Sequence, residues 1–345
     1  MHLKLAFIGF GVVGQGLTEI LIEKKKLLKK KYNFSYKVVA ISDILKGSVY
    51  DKDGLDLEKI MELIKQGNKL DEYPSGIKNM DSIATIKDTN ADTIIEVTFT
   101  DVKTGEPALT HIKTAFKHNK NVISTNKGPV IKESLNLIKI AKNKNLHYGF
   151  EGVVLAGTPA INLFRHTLAG TVIKDFRGIL NGTTNYILTR MEEGMSYNDA
   201  LKKAQQLGYA EADPTGDVEG LDALGKVVIL TNIVLGKNIS WEDVKRKGIT
   251  EITQKDIEIA RSEGKRWKLI GSAEIKENGN INAKVWPEKL SVNDPLAGIS
   301  EATNALTFNT DELGKVTIIG PGAGKRETGF SLLIDLLELN KKFCN

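Results

Sequence analysis

Five carboxylates and one lysine crowd into EADPTGDVEGLDALGK (211–226): Glu211, Asp213, Asp217, Glu219, Asp222 and then Lys226. Pro214 and Gly216 mark the first half as a loop. From about Asp217 the pattern turns helical, with Leu221, Leu224 and Val228 recurring on one face. Asp222 and Lys226 stand four apart, so they share a second face and can pair. Two chemistries fit. In one, the acids are a solvated loop and helix start favoured by the macrodipole. In the other, they hold a cationic ligand group while the paired lysine moves a proton. Gly220 and Gly225 inside the helical pattern cost about 1 kcal/mol each relative to alanine, which points to something packing closely there.

The second chemical stretch is at the N-terminus. Leu3 to Ile8 reads as an apolar strand, followed at once by Gly9-Phe10-Gly11-Val12-Val13-Gly14 and a helical pattern through Leu17, Ile20, Leu21 and Leu28. A GxGxxG between strand and helix lets the backbone approach a pyrophosphate at the helix N-terminus. The next strand, 37–41, runs into Asp43, placed where an acid accepts hydrogen bonds from the adenosine ribose and disfavours a 2′-phosphate. Lys46, Lys52 and Lys59 follow closely, so this strand leaves NAD and NADP both open, and the DKDGLDLEK segment (51–59) opens a polar helix. Strand 93–98 ends in Thr98-Phe-Thr100-Asp101, at the carboxyl edge where ligands bind. A helix over 106–118 and a strand over 121–124 bring Lys127 to that edge beside Gly128-Pro129.

The totals bound the rest. A length of 345 residues suggests two domains. A mildly basic balance, net +5, suits anionic small ligands and falls short of implying nucleic acid. The single cysteine, Cys344, excludes an intrachain disulfide framework and fits a reducing cytoplasm. No signal peptide is visible, and no apolar run approaches the roughly 20 residues of a membrane helix. The fold expected is α/β: a Rossmann-type parallel sheet over 1–150, to which 320–345 returns, plus a second α+β domain over 151–319 with a mainly antiparallel sheet. In that second part helices are expected near 159–168, 185–193, 197–207 and 218–235, with Asn181-Gly-Thr-Thr-Asn185 as a loop closing strand 172–180.

A nicotinamide-linked reaction at an alcohol carbon needs a proton donor and acceptor. One cysteine and five scattered histidines (His2, His111, His118, His147, His166) give no zinc-ligand spacing. None of the eight tyrosines has a lysine four residues on. Lysine remains: two lysines sharing a site hold each other towards neutrality. Lys127 and Lys226 are the candidates, with Asp222 orienting Lys226. The acidic cluster can then bind a substrate ammonium, and the 181–185 loop can offer donors to a carboxylate.

At this point the chain resembles homoserine dehydrogenase over nearly its whole length. The matching motifs are GFGVVGQG (9–16), EVTFTDVKTGEP (96–107), STNKGP (124–129), GILNGTTNYIL (178–188), GYAEADPTGDVEGLDALGK (208–226) and GPGAG (320–324). The resemblance implies NAD- or NADP-linked interconversion of L-homoserine and L-aspartate 4-semialdehyde, in threonine, methionine and isoleucine biosynthesis. It implies Lys226 as acid–base residue, Lys127 assisting and Asp222 in support. Glu211 would take the α-ammonium with Asp217 behind it, and Gly182 with Thr183 the carboxylate. The cofactor would lie on Phe10, Gly11, Val12, Val13, Gly14, Asp43, Thr98, Thr100, Lys127 and Gly322. The 151–159 stretch resembles one whose carbonyls hold a monovalent cation, Na+ or K+, which singles out Glu151, Val154 and Ala156. A homodimer is expected through the second domain, and Cys344 could meet its mate across the two-fold axis.

Lys325-Arg326-Glu327 depart from the small residues usual after GPGAG; they would either reach a cofactor phosphate or alter cleft closure. Two rivals are weaker: another Rossmann reductase of a small amino-acid substrate, and a non-catalytic NAD(P)-sensing regulator. An acylating semialdehyde dehydrogenase needs an active-site cysteine, and Cys344 stands at the terminus. Loss of Lys226 or Asp222 would mark the regulator, and both are present. With the sequence stopping at 345, no ACT domain and no aspartokinase fusion are expected, so threonine should inhibit weakly or not at all. Tight threonine binding at a separate site, by calorimetry, would contradict this.

Overall fold

β1 (Leu3–Ile8) is apolar at every position but one, and it becomes the middle strand of a seven-stranded sheet buried on both faces. The computed structural model describes residues 2–344. Gly9 turns the chain with φ +88°, and α1 (Val12–Tyr32) follows, capped at its end by left-handed Asn33 with Lys29, Lys30 and Lys31 in the last turn. The basic run thus sits at a helix C-terminus, where cations are favoured.

β2 (Tyr36–Asp43) pairs parallel to β1. The next two strands were not foreseen: β3 (Gly47–Tyr50) folds back antiparallel on β2, and short β4 (Ile77–Lys78) extends it. Between them, the helix expected over 51–59 starts late, as α2 (Leu57–Lys65). The reason is local: Asp51 accepts from Asp53 N and Gly54 N to make a turn, and Asp56 caps the helix by accepting from Glu58 N and Lys59 N. Then come α3 (Ser82–Asp88), β5 (Thr93–Glu96), α4 (Ala108–Lys117), β6 (Asn121–Ser124), α5 (Lys127–Asn143), β7 (Tyr148–Gly149) and the single turn α6 (Gly152–Leu155). Strand order β4-β3-β2-β1-β5-β6-β7 puts a topological switch beside β1, the doubly wound arrangement of a dinucleotide fold.

In the second part the helix expected at 159–168 is only α7 (Ala160–Asn162), continued by a π-turn over Leu163–Thr167. β8 (Ile173–Ile179) leads into α8 (Gly182–Glu192), so the expected 181–185 loop is a helix start, with Asn181 as its cap. α9 (Tyr197–Gln206), α10 (Thr215–Val218) and α11 (Leu221–Val234) follow; the continuous helix expected from 218 breaks at Gly220, whose φ of +74° no helix permits. Unforeseen β9 (Val244–Arg246), then α12 (Gln254–Ser262), β10 (Lys265–Ile275), β11 (Ile281–Ser291), β12 (Thr303–Thr310) and β13 (Gly314–Pro321) complete a six-stranded sheet of order β13-β12-β8-β10-β11-β9. Only the β9–β11 pair is parallel. Finally α13 (Lys325–Cys344) ends the chain.

By contacts, the chain divides into unit 1, Met1–Gly157 with Gly324–Asn345, and unit 2, Thr158–Ala323, a few residues beyond the expected 150/151 division. In unit 1, α13 lies along α1, and Leu332, Leu333, Leu336 and Leu339 join Leu17 and Ile20 in one core. The Cys344 side chain lies outside the described residues. Close approach of α1 and α13 requires glycine: a Cβ on Gly16 would stand 2.2 Å from the Lys325 carbonyl oxygen. Backbone cannot yield as a side chain can. Gly16→Ala is therefore expected to cost about 1–3 kcal/mol, read as a thermal midpoint lowered by roughly 2–4 °C per kcal/mol; an unchanged midpoint would contradict this packing.

Candidate active site

The glycine turn of unit 1 is built for a backbone-held ligand. A Cβ on Gly9 would meet the Val97 carbonyl oxygen at 2.6 Å, so the turn lies directly on the end of β5. A Cβ on Gly11 would meet nothing within 4 Å, which leaves the mouth of α1 open to a pyrophosphate. These features fit a dinucleotide. Phe10 contributes backbone alone, because its ring is fully buried edge-on against Phe7. Its N–H donates to Asp43 Oδ2 at 2.7 Å, and Asp43 Oδ1 accepts from Leu45 N and Lys46 N at 2.9 and 3.0 Å. Asp43 thus braces the glycine turn; with Oδ1 taken by two N–H groups, Oδ2 keeps a lone pair that a ribose hydroxyl could use. Val12 is exposed and Val13 packs on the core, while Gly14 underlies the turn.

On the other side of β1, Thr98 is half-buried and Thr100 exposed after β5. Lys127 opens α5 rather than ending a strand. Asn126 caps that helix by accepting from Gly128 N at 3.1 Å, and its Nδ2 donates to the Phe99 carbonyl at 2.9 Å, tying the two loops together. Glu151 is buried, with its N–H donating to Asp335 at 2.9 Å; Val154 lies in α6 and Ala156 follows it at φ +47°.

Unit 2 holds the buried lysine and its acids. Lys226 is only 6% exposed, in a helix whose buried face is largely apolar. Its Nζ donates to the Leu180 carbonyl at 2.6 Å and stands 2.8 Å from Asp222 Oδ2. Asn181 joins the acids, its Nδ2 donating to Asp222 at 3.1 Å and to Asp217 at 2.7 Å, while its Oδ1 accepts from Thr184 N at 2.9 Å. Burial raises the Asp217 carboxyl above its ordinary value, against the hydrogen bond it receives from Asn181 Nδ2. The cap leaves the amides of Gly182 and Thr183 without helical acceptors. Gly182 tolerates no side chain, since a Cβ would sit 2.6 Å from the Ala302 carbonyl. Gly322 likewise lies flat on the Asn304 carboxamide.

The acidic cluster is looser than its sequence suggests. Asp217 and Asp222 join Lys226. Glu219 turns away to Arg246 and Thr250, Asp213 is exposed and caps Thr215 N, and Glu211 is exposed. Gly220 is the left-handed N-cap of α11 rather than a helix-interior residue. Lys325 and Arg326 pair with Glu19 and Glu23 on α1. Sequence reasoning passed over Asn181, whose signal was an asparagine just ahead of a helical pattern, and the Leu180 carbonyl, which has no signal at all.

A dinucleotide fold joined to a unit carrying a buried lysine–aspartate pair defines a nicotinamide-linked dehydrogenase. The family model described as homoserine dehydrogenase matches residues 159–337, and that of glutamate/leucine/phenylalanine/valine dehydrogenase matches 3–133. An NAD(+)-dependent homoserine dehydrogenase of Pseudomonas canavaninivorans is 44% identical over 338 residues, 98% of this chain and 96% of its own. The homoserine dehydrogenase of Methanocaldococcus jannaschii is 43% identical, covering 98% of each chain. A hyperthermophilic archaeal homoserine dehydrogenase solved in complex with NADPH superposes with TM-score 0.84 at 30% identity, covering 99% of each chain. The chain belongs to the homoserine dehydrogenase family, oxidoreductases that interconvert L-homoserine and L-aspartate 4-semialdehyde with NAD(P) in threonine, methionine and isoleucine biosynthesis.

Lys268 is a second buried lysine, on β10, donating to Asn185 Oδ1 at 3.1 Å and the Ile299 carbonyl at 2.6 Å. Burial brings its ammonium down to about 8. A lysine in the unfolded chain titrates near 10.4, so between these values the unfolded state binds more protons and stability rises with pH. The thermal midpoint of wild type relative to Lys268→Met should therefore climb from pH 7.5 to 9.5; a constant difference would contradict the shift.

Proposed function

We propose that Lys226 accepts the hydroxyl proton when homoserine is oxidised and returns it when the semialdehyde is reduced. The observation that carries this is the Lys226 ammonium held between Asp222 and the Leu180 carbonyl, in the unit where the free amides of Gly182 and Thr183 open α8. The bound nicotinamide supplies the hydride acceptor. Asp222 holds and charge-balances the lysine, and Lys127 of unit 1 assists. The amides of Gly182 and Thr183 take the substrate carboxylate at a helix N-terminus. Glu211 takes the α-ammonium, with Asp217 in support; the Thr183 hydroxyl donating to the Tyr209 carbonyl at 2.6 Å ties the segment before Glu211 to α8.

Phe10, Gly11, Val12, Val13, Gly14, Thr98, Thr100, Lys127 and Gly322 hold the cofactor. Asp43 at the end of β2 supports a preference for NAD, since a carboxylate repels a 2′-phosphate; the 44% identical relative named NAD(+)-dependent agrees. The carbonyls of Val154 and Ala156, at the open end of a one-turn helix beside Glu151, suit a Na+ or K+ ion. The working form is a cytoplasmic homodimer through unit 2, where Asp175, Arg177, Ser272 and Glu274 lie on a sheet face that the 292–299 segment covers only in part.

Lys226→Ala should lower kcat for homoserine oxidation by about 100- to 10,000-fold with NADH binding unchanged, and NAD should exceed NADP in kcat/KM. Turnover retained in Lys226→Ala would sink the proton role. A monomer by light scattering would sink the dimer.

A further inference from the structure

Glu96 closes β5 and is fully buried, with no part in the chemistry above. Its Oε1 accepts from the Thr98 N–H at 3.2 Å and from the Thr98 hydroxyl, and His111 Nδ1 of α4 lies 3.4 Å away. Its Oε2 accepts from the Ser124 hydroxyl of β6 at 3.2 Å. His111 is itself buried, its Nε2 2.8 Å from the Ser82 hydroxyl of α3. A carboxylate can only accept, so both hydroxyl protons are committed to it and His111 Nδ1 carries its proton towards it. Ser124 Oγ then accepts from Asn126 N at 3.0 Å, which sets the backbone from which Lys127 departs. Thr98, half-buried at the carboxyl edge of the sheet, can offer the crevice lone pairs alone.

We propose that Glu96, braced by His111, is a positioning residue that fixes the Thr98 hydroxyl as an acceptor for a hydrogen-bond donor on the nicotinamide riboside half of the cofactor. The half follows from topology: β2 lies on the adenosine side of β1, and β5 on the other. The donor follows from the committed proton: phosphate oxygens only accept, whereas ribose hydroxyls and the carboxamide N–H donate. The proposal rests on the cofactor reading of unit 1 given above.

The test is NADH binding by fluorescence titration, with steady-state kinetics on NAD and on its 3-acetylpyridine analogue, which lacks the amide N–H. Thr98→Val should weaken NADH binding and raise KM for NAD by about tenfold, the worth of one net hydrogen bond, without raising KM for homoserine. Thr98→Ser should restore binding. If the valine variant treats the analogue as wild type does, the carboxamide is the donor; if it loses equally on both, a ribose hydroxyl is. Glu96→Met, of similar length and without an acceptor, should reproduce the loss and add little to Thr98→Val. Should that variant not fold, the valine and serine pair still decides. NADH binding within twofold of wild type in Thr98→Val, or losses at the two positions that multiply, would overturn the proposal. A wild type that does not bind NADH would instead overturn the cofactor reading itself.

Discussion

A charged ammonium inside an apolar helix is the constraint on which unit 2 turns. Leaving Lys226 unpaired among Leu224, Val227 and Leu230 would cost several kcal/mol, so its surroundings are committed to it. Asp222, one turn earlier, gives an anion at 2.8 Å, and the carbonyl at the end of β8 gives a second acceptor at 2.6 Å. Because that carbonyl belongs to Leu180, the next residue, Asn181, caps α8 beside the same lysine. Asn181 then serves both ends, capping the helix with its oxygen and binding Asp217 and Asp222 with its nitrogen. One buried charge thus places the lysine and a helix N-terminus in one cluster.

Unit 1 solves a related problem with anions. Asp43 and Glu96 both end strands at the carboxyl edge of the sheet, and both are bound by neighbouring backbone or hydroxyl donors. Asp43 holds the glycine turn from the β2 side and Glu96 holds Thr98 and Ser124 from the β5 side. Glycines do the rest where chain meets chain: Gly9 on Val97, Gly16 on Lys325, Gly128 on Asp101. The crevice is therefore shaped by short-range donor–acceptor geometry on a sheet whose central strand is fully committed to the core.

What could be read in the sequence was what depends on local spacing. The strand–glycine–helix start and the Asp222–Lys226 pair are set by period and need no tertiary knowledge. β3 and β4 were invisible because Gly47–Tyr50 and Ile77–Lys78 are too short to show alternation, and the acidic stretch after β3 resembles a helix until Asp56 caps one. The crowd of five acids overstated the site, because Glu219 finds Arg246 from a distant strand. The pairs of Lys325 and Arg326 could not be read because Glu19 and Glu23 lie some 300 residues earlier in the chain. The role of Asn181 was missed since its value lies in joining the start of α8 to Asp217 and Asp222, 36 and 41 residues further along the chain.

The most direct test of this account is the pH dependence of kcat/KM for homoserine oxidation in wild type and in Asp222→Asn. If the carboxylate stabilises the Lys226 ammonium, its loss makes the amine easier to free. The limb at which oxidation switches on should then move to lower pH in the variant. A limb that stays in place while activity falls would show that Asp222 acts on something other than the lysine, and would contradict the account.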